Sequence, residues 1–135
     1  MLKNEEEQLV LLQEELIFAR KYGELLQERF ASGFSVRYEI PDECFTRHIV
    51  PCALQLLIEN ATKHNIVSPD QPLEVTIRAT REKLIVTNPL QPRLSKQPST
   101  RKGLNNIRQQ YLDLAGKRIV VEQTDTEFRV ELPLL

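Results

Sequence analysis

The chain has 135 residues, 41% of them apolar and 27% charged, with 18 basic and 19 acidic side chains. A chain of this size buries enough apolar surface to fold as one soluble domain without disulfides or metals. Its 2 cysteines and 2 histidines fit no zinc spacing, its first residues are acidic where a signal peptide is basic, and no apolar run approaches the roughly 20 residues that span a bilayer. A metal or disulfide framework, an exported chain and a membrane-embedded chain are therefore not expected, and a reduced cytosolic compartment is.

The two signs of charge are unevenly distributed along the chain. Residues 1–30 contain 7 glutamates, whereas residues 83–112 contain 6 basic residues and no acidic one. The acid-free stretch indicates a surface that attracts anions, and the alternative is a solvated loop that is basic without a ligand. It lacks the interleaved aromatic residues of a single-stranded nucleic-acid site, so no nucleic-acid partner is expected.

Hydrophobic periodicity predicts the first three elements. Apolar residues recur at steps of three and four over 5–31, which predicts a long leading helix that Gly33 ends. Strict alternation of apolar and polar residues predicts a strand over 34–40. A second helix is expected over about 51–64, because a proline opens this segment and is tolerated in a first turn.

The second half of the chain is predicted to contain one helix among strands. Gly103 opens a third helix over 104–115, and the four predicted strands cover 73–79, 83–87, 118–124 and 127–132. The intervening residues 88–102 include three prolines and no period, which is typical of a long functional loop. Hairpin connections favour an α+β fold for residues 1–135 as a single domain: a two-layer α/β sandwich with helices packed on one face of a mixed, mainly antiparallel sheet.

The second helix carries the side chains with the most chemistry. At 100° per residue, Glu59, Asn60, Lys63 and His64 fall within an arc of about 140°, opposite an apolar face. A carboxylate, a carboxamide, an ammonium and an imidazole within two turns are able to hold a cation, a phosphate and a water. An ordinary solvated helix face has the same pattern, and spacing alone does not separate the two.

Four blocks of sequence, in order, resemble the LytS/YehU-type sensor histidine kinases. Residues 54–65, LQLLIENATKHN, resemble the N box of that family, and residues 84–91, LIVTNPLQ, lie where it has its first glycine box. Residues 99–108, STRKGLNNIR, lie at the second glycine box, and residues 128–134, FRVELPL, resemble the terminal strand. Within the leading segment 1–31, residues 11–18 (LLQEELIF), Tyr22 and residues 28–30 (ERF) resemble the helix that leads into the ATP-binding domain of these kinases, so the likeness covers nearly the whole chain.

The resemblance implies the Bergerat (GHKL) fold with a site for ATP and Mg²⁺. On the matching positions, Asn60 would bind Mg²⁺, and Glu59 would be the catalytic residue that orients or activates the attacking group. Residues 89–102 would form the ATP lid. The positions that would contact ATP are Asn60, Lys63, His64, Asn88 at the adenine edge, Thr100, Arg101, Lys102, Gly103 and Leu104. A helix amino terminus carries unpaired N–H groups and partial positive charge, so the start of the third helix is a natural phosphate site.

Both glycine boxes depart from the family pattern. Asn88 stands where an aspartate is usual, so weaker adenine binding is expected, and Pro89 and Leu90 replace residues that let the loop bend. Arg101 stands where a glycine is usual. Either Arg101 contacts phosphate directly, or the lid is remodelled and nucleotide affinity is poor.

The phosphoacceptor histidine of the family lies in an upstream HFLFN-like motif, and neither His48 nor His64 has that context. The chain is therefore predicted not to autophosphorylate. The resemblance implies that it transfers the γ-phosphate of ATP to a histidine on a separate dimerisation domain, for a downstream response regulator, as the cytoplasmic part of a membrane-anchored homodimer. Two alternatives remain: a degenerate GHKL domain that acts as a non-catalytic signalling module, and a GHKL ATPase of the gyrase or MutL kind, which is disfavoured because those chains are much longer.

Overall fold

Three α-helices pack on one face of a five-stranded sheet in this computed structural model, which describes residues 8–93 and 102–135. The helices are α1 (Leu12–Phe30), α2 (Ala53–His64) and α3 (Lys102–Ala115). The strands are β1 (Val10–Leu11), β2 (Phe34–Glu39), β3 (His48–Ile49), β4 (Leu73–Ala79), β5 (Lys83–Pro89), β6 (Val120–Gln123) and β7 (Glu127–Pro133). The predicted fold class, an α+β two-layer sandwich, is confirmed.

The large sheet has the strand order β2-β4-β5-β7-β6. Strand β2 pairs with β4 in parallel, and the other three pairings are antiparallel, as the sequence predicted. Side chains alternate between a helix-covered face and a polar outer face. The inward-facing apolar residues of the three central strands are Leu73, Val75, Ile77, Leu84, Val86, Val130 and Leu132. The sheet therefore buries one face only, which is the arrangement expected of antiparallel hairpins.

The leading helix begins later than its periodicity predicted. Its first-turn N–H groups donate to backbone carbonyls of a distant loop, from Leu12 to Arg47 over 2.8 Å and from Gln13 to Phe45 over 3.1 Å. Just before it, β1 pairs with β3 in a small antiparallel sheet that the sequence analysis did not predict. The predicted start at residue 5 is therefore wrong for residues 8–11, and residues 5–7 lie outside the described residues.

The ends of α2 and α3 are fixed by left-handed residues. Cys52 has φ 65° and serves as the N-cap of α2, so this helix starts slightly after the predicted position. Gly116, with φ 63°, ends α3: its N–H donates to Leu112, and the N–H of Lys117 donates to Tyr111. The bond from Gly116 back to Leu112 is that of the αL cap, a helix end that glycine favours. In the described ranges, no helix is long and apolar enough to cross a membrane.

Candidate functional site

The polar face predicted on α2 is present and open to solvent. Glu59 and Asn60 are half-buried, while Lys63 and His64 are exposed in the last turn. Lys63 Nζ lies 3.3 Å from a Glu59 carboxylate oxygen, an i,i+4 ion pair in which the side chains are 58% and 36% exposed. An exposed pair of this kind contributes less than about 1 kcal/mol, so little holds Lys63 away from a phosphate.

The start of α3 comes close to α2 beside this face. A Cβ at Gly103 would lie 2.8 Å from both Cδ atoms of Leu56, so only a residue without a side chain allows this approach without a shift. Leu56 and Asn60 are four residues apart and lie on the same side of α2, separated by about 6 Å along the helix axis. The first turn of α3, whose N–H groups have no partner within the helix, therefore lies beside Leu56, one turn along α2 from Asn60.

Asn88 lies in β5, in register with Phe128 of β7. It is on the same, helix-covered face of the strand as Leu84 and Val86. It is 5% exposed, and its side-chain amide donates to the Pro89 carbonyl over 2.8 Å. The predicted loop boundary is wrong here, because β5 continues through Pro89 and both residues belong to the strand. Of the rest of the predicted lid, the structure describes Leu90 to Arg93. Residues 94–101, including Thr100 and Arg101, lie outside the described residues.

A hydrogen-bond network at the carboxyl end of α2 was not predicted. The buried Asn65 side chain donates to Ala61 over 2.9 Å and accepts the Gln91 N–H over 2.7 Å. Arg93 donates from Nε to the Asn65 carbonyl and from Nη2 to the Thr62 carbonyl, at 3.0 and 2.9 Å. A cation on the last carbonyls of a helix satisfies orphan acceptors and matches the helix dipole. Only one signal in the sequence pointed here, the position of Asn65 at the end of the N-box block.

The basic residues that the structure describes within the stretch 83–112 do not form one surface. Arg93 is committed to α2, and Lys83 pairs with Glu131 at 3.1 Å on the outer face of the sheet. Lys83 and Asn88 occupy opposite ends of β5, about 17 Å apart along the strand. The other two basic residues described in the stretch, Lys102 and Arg108, lie on α3.

The donor set fits a magnesium ion only when phosphate completes it. Within the described ranges, no group of three or more His, Cys, Asp or Glu residues is placed to hold a metal. The Asn60 carboxamide offers a single neutral oxygen, and Mg²⁺ in proteins commonly takes one or two protein oxygens together with substrate phosphates and waters. Asn60 would thus hold a nucleotide-bound Mg²⁺ rather than a free ion.

The fold is that of histidine-kinase catalytic domains. The cytoplasmic segment of histidine kinase QseC superposes with a TM-score of 0.65 at 15% identity, covering 95% of this chain and 77% of that one. The catalytic domain of histidine kinase ThkA, in a nucleotide-free form, superposes with a TM-score of 0.61 at 18% identity, covering 93% and 95%. These likenesses establish the architecture that the resemblance to sensor kinases implied.

Comparison of the sequence with curated proteins finds relatives among the LytS sensor proteins. The chain is 36% identical over 69 residues to LytS of Bacillus cereus and 31% identical over 70 residues to LytS of Staphylococcus saprophyticus. These matches cover 51% and 52% of this chain but 12% of each relative, so the chain corresponds to a small part of those proteins. No family model matches the sequence. The predicted resemblance to LytS-type sensor histidine kinases is confirmed by these relatives and by the histidine-kinase fold.

Proposed function

We propose that this chain is the ATP-binding catalytic domain of a sensor histidine kinase. It binds Mg-ATP and delivers the γ-phosphate to a histidine on a separate dimerisation domain, and a response regulator is the downstream partner. The whole protein would be a membrane-anchored homodimer with this domain in the cytoplasm. One observation carries the proposal: in a histidine-kinase fold, Asn60 lies one helical turn from the place where Gly103 brings the amino terminus of α3 against α2.

The chemistry assigned to this site is mainly positioning and charge neutralisation, which is what phosphoryl transfer requires of a protein. Asn60 would supply an oxygen to Mg²⁺, and the N–H groups of Gly103 and Leu104 would donate to phosphate oxygens. Lys63 exchanges its weak ion pair with Glu59 for a phosphate contact. Glu59, released from Lys63, would orient the acceptor imidazole. It would accept the imidazole proton as the nitrogen–phosphorus bond forms and the bond from the γ-phosphorus to ADP breaks.

The second candidate, a degenerate domain that signals without catalysis, is favoured by the state of Asn88. Its side chain carries no charge, is almost fully buried and already donates to the Pro89 carbonyl. An adenine amino group would have to donate to the Asn88 side-chain oxygen, whose orientation is already fixed by the bond from Nδ2 to the Pro89 carbonyl. Nucleotide affinity is therefore expected to be weaker than micromolar, and an undetectable affinity would make the non-catalytic function the better one.

Calorimetric titration with a non-hydrolysable ATP analogue tests the proposal. The protein is expected to bind the analogue with Mg²⁺ and to lose binding in EDTA and in Asn60→Ala. Gln109→Ala is the matched control, because it removes an exposed carboxamide that bonds to Asp113 on α3. No binding at millimolar analogue by folded protein, with circular dichroism unchanged, would reject an ATP-binding domain in this form.

Phosphotransfer is tested separately by adding the acceptor domain in trans. With ATP alone, the chain is expected to incorporate no phosphate, because neither His48 nor His64 lies in an acceptor motif. With a histidine-bearing dimerisation domain from the same kinase, the acceptor should become labelled, and Glu59→Gln should abolish the labelling while leaving analogue binding within twofold. ATP hydrolysis without any acceptor would instead point to an ATPase of the gyrase or MutL kind.

A further inference from the structure

A buried carboxylate joins the leading helix to the helix that carries the candidate site. Glu15, in the first turn of α1, is 5% exposed and is the only acidic or basic side chain that is buried in the described part of the chain. Its two oxygens accept hydrogen bonds from the backbone N–H groups of Cys52 and Leu54, each over 3.1 Å. The cap of α2 is therefore supplied by another helix, from 37 and 39 residues away.

Helix α2 has no cap of its own. Cys52 at the N-cap position makes no side-chain hydrogen bond, and the first N–H groups of any α-helix lack partners within the helix. A negative charge at this end also matches the helix dipole. Burial raises the pKa of Glu15, while hydrogen bonds from the backbone of Cys52, Leu54 and Gln55 oppose the rise. The carboxylate is thus both costly to bury and directly engaged with α2.

The charge of Glu59 on α2 also acts on a side chain of α1, two turns beyond Glu15. Burial and, after it, the negative charge of Glu59 raise the pKa of Tyr22 on α1, so these two groups are within electrostatic range. Seven residues separate Glu15 from Tyr22, and seven separate Cys52 from Glu59, which is about 10.5 Å of rise in each helix. Helices α1 and α2 therefore run side by side in the same direction, from the cap to the candidate catalytic carboxylate.

Helix α3 reaches the same buried region. Tyr111 is fully buried, and burial raises its pKa, the Val50 backbone opposing the rise and the Glu15 charge adding to it. Its hydroxyl has no hydrogen bond of standard geometry within the described ranges. Glu15 therefore bonds directly to α2, and its charge also acts on a buried side chain of α3.

We propose that Glu15 is a positioning residue that fixes α2 to α1, so that the placement of α1 sets the geometry of the Glu59 and Asn60 face. This inference rests on the proposed nucleotide function, because the face it regulates is the assigned ATP site. A displacement or rotation of α1 would pull on the first turn of α2 through the carboxylate. Helix α1 then transmits the state of whatever precedes it to the nucleotide site.

Glu15→Gln is the test, with Glu14→Gln as the matched control. Both changes neutralise a glutamate in the first turn of α1, but Glu14 is exposed. Glutamine offers one acceptor oxygen instead of two, so one of the two α2 amides loses its partner. In nitrogen-15 NMR spectra without nucleotide, Glu15→Gln should change the amide chemical shifts of residues along α2 as far as Asn60. Affinity for the Mg²⁺-bound ATP analogue should fall roughly tenfold, and Glu14→Gln should change neither.

The outcomes separate this inference from the proposed function. Two results together would overturn the inference and leave the proposed function standing. The folded Glu15→Gln protein would bind the analogue with an affinity within twofold of the native value, and its chemical-shift changes would be confined to residues 51–55. If the native protein binds no analogue, the proposed function fails and the spectra alone decide on the coupling. Should Glu15→Gln not fold, amide hydrogen exchange in the native protein decides: Cys52 and Leu54 must exchange as slowly as the core of the sheet, and fast exchange would refute the cap.

Discussion

Replacing Asn65 with alanine would remove a buried link between the end of α2 and the segment after β5. The side chain is 3% exposed, donates to the Ala61 carbonyl over 2.9 Å and accepts the Gln91 N–H over 2.7 Å. Alanine cannot replace either bond, so a donor and an acceptor lose their partners. Each buried unsatisfied group costs about 1–3 kcal/mol, and because Gln91 is partly accessible to water we expect a loss of about 2–4 kcal/mol in the free energy of unfolding.

Urea unfolding followed by circular dichroism measures this loss, and a thermal scan should give a Tm lower by roughly 6–15 °C. Asn105→Ala is the control, because that asparagine is exposed and its side chain accepts one bond of 3.3 Å from Arg108. The control should stay within about 0.5 kcal/mol of the native protein. If Asn65→Ala falls within the same margin, the network at the end of α2 contributes nothing to stability and the reasoning is refuted.

Three further expectations concern stability and ligand binding. Burial raises the pKa of Glu15, so between its ordinary value and the raised value the folded protein binds more protons than the unfolded chain. The unfolding free energy contributed by this group therefore falls as the pH rises through that window, and in urea titrations Glu15→Gln should abolish this part of the slope. Ile58→Ala, at a fully buried position, should cost about 2–5 kcal/mol, whereas Leu25→Ala, at a position 62% exposed, should cost less than about 0.5; equal costs would place Ile58 outside the core. Mg²⁺ without nucleotide should give no binding heat at millimolar concentration, because Asn60 supplies one neutral oxygen, and saturable binding would reveal a metal site that the described residues do not account for.

Periodicity predicted the elements whose faces are buried and missed those that backbone pairing decides. Strands β4, β5 and β7 alternate clearly because only one face of the sheet is covered, so their positions can be read from apolar spacing. The start of α1 cannot be read in this way. Its first N–H groups bond to the carbonyls of Arg47 and Phe45. This tertiary pairing fixes where the helix begins, although apolar residues continue further toward the amino terminus.

The candidate site was predictable where side chains act together on one element. Glu59, Asn60 and Lys63 lie on one helix, so spacing alone placed them on one face. The roles of Glu15 and Arg93 were not predictable, because each acts on backbone groups of α2 from more than 25 residues away in sequence, and backbone acceptors and donors leave no residue pattern. The roles of Glu59 and Asn60 themselves stay predictions until nucleotide binding is measured.

The parallel pairing of β2 with β4 has a consequence for how the chain reaches this structure. Residues 34–39 pair with residues 73–78 across a connection that contains β3 and α2, whereas β4 with β5 and β6 with β7 close over short turns. Contacts between distant residues form slowly because loop closure must precede them, so the two hairpins should form first. On the ribosome, α1 and β2 emerge early, yet β2 has no neighbouring strand until residue 78 has left the exit tunnel. Strand β2 must therefore wait without its sheet partner while residues 40–78 are synthesised, whereas β1 finds its partner β3 earlier.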